Sequence, residues 1–328
     1  MSEGASAAST SERANAAAST SERANAAPTS ERANAARAGV IVVGDLVTDV
    51  LVVRSGPLAT GSDTDARIRV GGGGQAANTA AWLAHAGAPV TLIAAVGEDA
   101  GGRERVAELT AAGVRCDVRH HPGAATGSVV VLSTPDERTM ITDRGAALLL
   151  APADVTSAVE AAPDAGHLHL SGYPLLHPES RPGGLAALAA ARKRGLTTSV
   201  DAASAAPLRR SGDFLDLVRG VDLLLCNADE AEVLAGPGTA EAQAVILASS
   251  ARNVVVKRGG DGAVWGTRDG VLRSVAGVRV PSIDPTGAGD AFAAGVLEAW
   301  CSGAEPEAAL AAGAALGAAA VQRVGARP

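Results

Sequence analysis

From Gly39 onward, short apolar runs of strand length alternate with Ala- and Leu-rich stretches of helix length, and this alternation admits few folds. Val40-Ile-Val-Val-Gly44 reads as a buried strand, Asn78 to Gly87 as a helix, Val90 to Val96 as a strand and Gly101 to Gly113 as a second helix. Further strands are expected at His167 to Leu170, Thr197 to Val200, Asp222 to Cys226 and Asn253 to Lys257, with helices such as Gly184 to Arg194 between them. Strands separated by helices pair in parallel, and helices then cover both faces of the sheet. The expected class is therefore α/β with a mostly parallel central sheet. Aromatic residues make up only 2% of the chain, so Ala, Val and Leu must build the core.

Two regions break this rhythm. Asp65 to Val70 alternates in strand fashion, and Ser128 to Thr142 is β-rich with a turn at Pro135-Asp-Glu. They fit a small antiparallel sheet projecting from the main body, a candidate lid, with segments assigned to about 64–71, 115–121 and 127–142. Ligands of an open α/β sheet bind outside the carboxyl ends of its strands, and a lid there would exclude water.

The first 37 residues stand apart, because Ser11-Glu-Arg-Ala-Asn-Ala-Ala17 recurs at 21–27 and 30–36. Helices this short are marginal in water. Residues 1–37 are read as a disordered, low-complexity tail without a signal or transit peptide, and residues 38–328 as the folded domain. A net charge of −7 argues against a nucleic-acid partner. No apolar run of about 18 residues suggests a membrane span. Three scattered cysteines form no zinc or disulfide framework, which favours a cytoplasmic protein.

The strongest local signal is Asp284-Pro-Thr-Gly-Ala-Gly-Asp-Ala-Phe292, which precedes an apolar helical run from Ala291 to Trp300. Small residues at a helix start expose backbone N–H groups, and the helix dipole adds positive potential, so Gly287, Ala288 and Gly289 can hold a developing anion beside Asp290. Asp is also a good helix cap, and the run alone does not decide between the roles. A carboxylate at a helix N-terminus is expected to have a low pKa, making Asp290 a base that accepts its proton late. The second signal, Gly71-Gly-Gly-Gly-Gln-Ala-Ala-Asn78, opens a helix. It has neither the Gly-x-Gly-x-x-Gly spacing of a dinucleotide fold nor the Lys-Ser/Thr of a P-loop. Four glycines instead suggest either close backbone approach to a polar ligand or a flexible hinge.

The two motifs together, in this order, resemble the paired signatures of the ribokinase-like (PfkB) carbohydrate kinases, and the resemblance runs from Val40 to Pro328. Gly44-Asp-Leu-Val-Thr-Asp49 looks like that family's first strand and substrate-binding Asp. Thr126-Gly127 and Glu137-Arg-Thr139 are similar to its lid strands, Asn227-Ala-Asp-Glu230 to its Asn-x-x-Glu motif, Lys257-x-Gly259-x-x-Gly262 to its nucleotide-side loop, and Gly325-Ala326 to its C-terminal signature. The resemblance implies a ribokinase-like three-layer sandwich with a small β-sheet lid. It also implies ATP-dependent phosphorylation of a sugar or sugar-acid hydroxyl. Asp290 would be the base and Gly287, Ala288 and Gly289 the anion hole. Asp49, Gly73, Gly74 and Asn78 would bind the sugar, and Asn227, Lys257, Gly259 and Gly262 the nucleotide. Glu230 would hold Mg2+ through water, and Asp284 and Thr286 would border a K+ site. Lid-to-lid homodimerisation is implied as well, with Ile68, Val70, Val129 and Val131 expected at the contact. Ribokinases proper carry Gly-Gly-Lys in the first motif and a Glu after the His167–Leu170 strand, whereas this chain has Gln75 and Ser171. Ribose is thereby called into question. A nucleoside or pseudouridine kinase and a catalytically silent sugar binder are the alternatives.

Overall fold

The sheet strands are short and rich in Val, Leu and Ile, and nearly every position of the central ones is buried. A computed structural model describes residue 1 and residues 38–54, 56–133 and 138–328; the tail expected over 2–37 and the turn at 135–137 lie outside the described residues. In chain order the first half comprises β1 (Gly39–Val43), β2 (Val47–Val53), β3 (Arg67–Gly73), α1 (Gln75–His85), β4 (Val90–Gly97), α2 (Ala100–Ala111), β5 (Arg115–His121), β6 (Thr126–Ser133), β7 (Arg138–Gly145) and α3 (Pro152–Glu160). There follow β8 (Ala165–Ser171), α4 (Tyr173–Leu176), α5 (Arg181–Lys193), β9 (Thr197–Asp201), α6 (Ala205–Ser211), α7 (Phe214–Leu217), β10 (Leu223–Asn227) and α8 (Ala228–Ala235). The last elements are α9 (Ala240–Leu247), β11 (Asn253–Lys257), β12 (Ala263–Thr267), β13 (Leu272–Val275), α10 (Ala288–Cys301) and α11 (Pro306–Ala320).

Nine strands form the main sheet in the order β13-β12-β11-β10-β9-β8-β1-β4-β5. Pairing is parallel from β11 to β5, and β12 and β13 add an antiparallel edge. Because side chains alternate along a strand, β1 feeds two cores at once. Ile41 and Val43 join Val155, Leu188 and Leu247 on one face, while Val40 and Val42 join Ala80, Leu297 and Leu310 on the other. This is the three-layer α/β architecture expected. A separate four-stranded sheet has the order β3-β2-β6-β7; it is mixed and not the antiparallel sheet expected, because β2, an unforeseen member, pairs with β6 in parallel.

Three further expectations need correction. Residues 115–121 are not part of the smaller sheet: β5 pairs in parallel with β4 from Thr91↔Arg115 to Gly97↔His121, with α2 as the crossover. As an edge strand it carries polar residues at alternate positions, which imitates the pattern of a half-exposed lid strand. Asp49, in turn, does not end the first strand. It lies on β2, opposite Gly71 of β3 and Val129 of β6, so the smaller sheet itself carries this carboxylate.

Val129 and Val131 do not belong to an exposed contact face either. They pack with Val47 and are 8% and 2% exposed, facing inward. The opposite face presents Ile68 and Val70, 64% and 65% exposed, with Ile141 beyond them.

Candidate active site

The carboxyl ends of five adjacent parallel strands converge on one cleft. Asp45 follows β1, Ser171 ends β8, Asp201 ends β9, Asn227 ends β10 and Lys257 ends β11, with Ser171↔Asp201 and Asn227↔Lys257 in register. Above them open the N-termini of α1 and α10, and the inner face of the smaller sheet, bearing Asp49 and Val131, closes the remaining side.

Asp290 sits in the first turn of α10, whose N-cap is Gly287 at φ 76. Asp290 therefore does not cap the helix. A Cβ on Gly287 would come within 2.4 Å of the Ala326 carbonyl oxygen, so the αL backbone and the close approach both demand glycine there. A Cβ on Gly289 would lie 3.6 Å from Lys257 Nζ, which puts that ammonium against the N-terminal amides of α10. An anion at this helix end would meet both. Asp290 Oδ2 accepts a hydrogen bond from Asn78 Nδ2 at 2.9 Å.

The expected low pKa of Asp290 is overturned. Burial raises its carboxyl to about 8; Asp201 and Asp45 push the same way and outweigh, with burial, the Asn78 hydrogen bond and Lys257. The helix terminus is present, yet the loss of water and two neighbouring carboxylates dominate.

Asp201 and Lys257 form a salt bridge of 2.6 Å, both side chains largely buried. Asp201 also accepts from Gln75 Nε2 at 2.9 Å and from the Ala203 N–H at 3.1 Å. Ala203 holds φ at 73, the one non-glycine residue at positive φ among the described residues. Asn227 and Glu230 make a capping box for α8: Glu230 N–H donates to Asn227 Oδ1 at 2.9 Å, and the Asn227 N–H to Glu230 Oε2 at 2.8 Å. Glu230 is only 3% exposed, and burial, with Asp201 adding repulsion, raises its pKa to about 7.

On the smaller-sheet side, burial lifts Asp49 to about 6 against the pull of Arg327. A Cβ on Gly73 would fall 1.9 Å from Asp49 Oδ1, and one on Gly74, at φ 101, would meet the Asp45 carbonyl at 2.4 Å. These two glycines thus let α1 start against Asp45 and Asp49. Asp45 accepts from Arg144 Nη1 at 3.0 Å, and the Arg144 guanidinium lies 3.6 Å over the Tyr173 ring.

Of the residues singled out in the sequence, Asp49, Gly74, Asn78, Asn227, Glu230, Lys257, Thr286, Gly287, Gly289 and Asp290 line the cleft. Gly73, Ala288, Gly259 and Gly262 do not line it. Gly262 turns the chain after β11, where a Cβ would lie 2.0 Å from the Val275 carbonyl. Asp284 is buried below the cleft, accepting from the Thr286 N–H at 2.9 Å and the Gly325 N–H at 3.0 Å. Asp45, Arg144 and Asp201 were missed; a carboxylate at the end of a buried parallel strand, as at Asp201, is the signal that could have found one. Gln75 and Ser171 were noted only as departures from the ribokinase pattern. They are partners, with Ser171 Oγ donating to Gln75 Oε1 at 2.6 Å.

The model of the pfkB family carbohydrate kinases matches residues 37–328. An ATP-dependent ribose-1-phosphate kinase of Halopiger xanaduensis is 33% identical over 276 residues, covering 83% of this chain and 87% of the relative. A 2-dehydro-3-deoxygluconokinase of Thermoproteus tenax is 31% identical over 290 residues, with coverages of 84% and 86%. Among solved structures, a probable sugar kinase from Rhizobium etli superposes with a TM-score of 0.79 at 26% identity, covering 89% of this chain and 96% of that one.

Proposed function

The chain belongs to the pfkB family of carbohydrate kinases, and from that premise we propose that it transfers the γ-phosphoryl group of ATP to a hydroxyl of a sugar or sugar acid, with Asp290 as the base. The observation that carries this reading is the placement of Asp290 in the first turn of α10 with the Lys257 ammonium beside Gly289 of the same turn. In the proposed reaction the acceptor hydroxyl loses its proton to an Asp290 oxygen while its own oxygen bonds to the γ-phosphorus. The bond to the β–γ bridging oxygen breaks, and ADP leaves. The amides of Gly287, Ala288 and Gly289, with Lys257, would hold the charge on the transferring group.

Asp49 suits a vicinal diol, since each carboxylate oxygen can accept one hydroxyl. Gly74 and Asn78 border the same space, and Gly73 lies directly against the Asp49 carboxylate. Gln75 and Ser171 replace the Lys and Glu of the ribokinase pattern, so the acceptor there would meet the neutral Gln75, held from behind by the buried Ser171. The Arg144 guanidinium offers a carboxylate of a sugar acid a cationic edge. Tyr173 is the aromatic residue of the cleft, and Arg144 already covers its ring, which disfavours stacking of a nucleoside base.

Mg2+ would neutralise charge on the phosphates. Among the described residues no group of three metal-ligating side chains occurs, which fits an ion that keeps most of its waters, with Glu230 reached through one of them. Asn227 would act through its hold on Glu230, and Gly259 and Gly262 through the shape of the nucleotide-side turn. The buried oxygens of Asp284 and Thr286 suit a K+ ion beside α10. The smaller sheet would act as a lid, and its face bearing Ile68 and Val70 as a homodimer contact.

ADP release is measured with Mg2+ and K+ over ribose, ribose 1-phosphate, 2-dehydro-3-deoxygluconate, fructose, adenosine and pseudouridine. Turnover of at least one sugar or sugar acid, and slower turnover of the nucleosides, is expected. No turnover with any acceptor at varied K+ and Mg2+ would favour a silent binder.

A further inference from the structure

Arg327 lies outside every motif considered so far, yet it is fixed against the site by a segment with little freedom. The Gly325 N–H donates to Asp284 Oδ2 at 3.0 Å, and the Ala326 carbonyl accepts from Trp82 Nε1 at 3.0 Å. The next side chain is thereby delivered between β3 and α1. Its Nη2 donates to the Gly73 carbonyl at 2.9 Å, its Nε to Asn78 Oδ1 at 3.2 Å, and its Nη1 reaches Glu108 Oε2 at 3.4 Å.

A side-chain amide can face either way, and its partners decide which. A guanidinium only donates, so the oxygen of Asn78 must turn toward Arg327 and its NH2 toward Asp290. Turned over, Asn78 would set donor against donor at Arg327 and oxygen against carboxylate at Asp290. We infer that Arg327 is a positioning residue of the phosphoryl transfer: by locking the Asn78 amide it keeps an N–H on the Asp290 carboxylate.

The charges around the base come from every layer of the site: Asp201 on β9, Lys257 on β11, Asp45 after β1 and Tyr173 on α4. Those around Arg327 are Glu108 and Arg105 on α2, Asp49 on β2 and Cys116 on β5. The two sets share no member, although Asp49 and Asp45 repel one another directly, and Asn78 is the hydrogen-bonded link between Arg327 and Asp290. An N–H donated to a carboxylate stabilises its ionised form, so releasing Asn78 raises the Asp290 pKa.

The inference rests on Asp290 being the base, but its test needs no acceptor. Carbon-13 NMR follows the aspartate carboxyls with pH, and the Asp290 signal is assigned by its loss in Asp290→Asn. In Asn78→Ala the Asp290 titration is expected to rise by about one pH unit, the size of a hydrogen bond to a charged group. Arg327→Met keeps the aliphatic stem and removes the donors; it should produce a rise of the same sign. In the double variant the two rises should not add, because both remove one contact. Assayed with ATP and whichever of ribose 1-phosphate, 2-dehydro-3-deoxygluconate and ribose is turned over, Arg327→Met should lose about tenfold in kcat near neutral pH and regain most of it above the new pKa. An unmoved Asp290 in Arg327→Met, or shifts that add fully, would overturn the inference. If Arg327→Met does not fold, Arg327→Lys keeps the charge without the Nε donor. Any rise of the Asp290 titration there supports the role, and none overturns it. A fully active Asp290→Asn sinks the base assignment instead, whatever the titrations show.

Discussion

The raised carboxyl of Asp290 makes the pH dependence of the free enzyme predictable in sign and in slope. Its pKa of about 8 arises chiefly from burial, and an acid so shifted is mostly protonated at neutral pH. As a base it must first lose that proton. At about pH 7 roughly one molecule in ten carries the carboxylate, and at about pH 6 roughly one in a hundred. kcat/KM should therefore climb about tenfold per unit and level off only above about pH 8. The limb should steepen below about 7, where Glu230 protonates, and again below about 6, where Asp49 protonates too and loses an acceptor for the sugar hydroxyls. Initial rates of ADP release at low acceptor concentration, taken in overlapping buffers with saturating Mg-ATP, give the profile. Asp290→Asn should lower kcat by about 10²- to 10⁴-fold and abolish the upper limb, leaving the breaks of Glu230 at about 7 and Asp49 at about 6. A profile flat from about pH 6 to 9, or an unchanged limb in Asp290→Asn, would refute the reasoning.

Gly287→Ala forces a Cβ to within 2.4 Å of the Ala326 carbonyl at a φ of 76, so α10 must shift; kcat should fall at least tenfold, read by the same assay. Lys257→Met strands Asp201 as a buried charge with its salt bridge gone, costing about 3–5 kcal/mol in denaturant unfolding besides the loss of turnover. Thermal melts of wild type and Asp290→Asn should coincide near pH 4 and diverge as pH rises. The folded pKa lies above the ordinary value, so the wild type loses stability between about 4 and 8, and the variant, which cannot ionise there, ends more stable by a few degrees. Ile68→Glu should convert a micromolar dimer into a monomer in sedimentation; a wild type already monomeric there counts against the lid contact.

The fold was legible because a both-faces-buried parallel strand has few sequence disguises: Asn253–Lys257 was placed to the residue. Strands with one polar face were harder. Arg115–His121 alternates as a half-exposed strand does, whereas Val47–Val53 has Thr48 and Asp49 side by side and then an apolar run, and only the pairing of β5 with β4 and of β2 with β3 separates main sheet from smaller sheet. The glycine signatures located both helix openings because glycine is required where a Cβ has no room. They did not disclose the charges between them. Asp45, Arg144 and Asp201 occur in no glycine-rich run, and their importance comes from partners up to 126 residues away. The pKa of Asp290 was misjudged for a related reason. A helix terminus can be read from local spacing, whereas the desolvation that outweighs it depends on strands remote in the chain.

The anchoring of Arg327 on Asn78 spans 249 residues of sequence. On a ribosome the first glycine loop and α1 emerge early, carrying Asn78 with them. The amide that faces the base stays free to turn until the 325–327 segment has been made and has closed over Trp82. A chain truncated before residue 325 would thus keep every strand of the sheet and the openings of α1 and α10, yet work with an Asn78 amide that nothing holds in place, and so with a slower base.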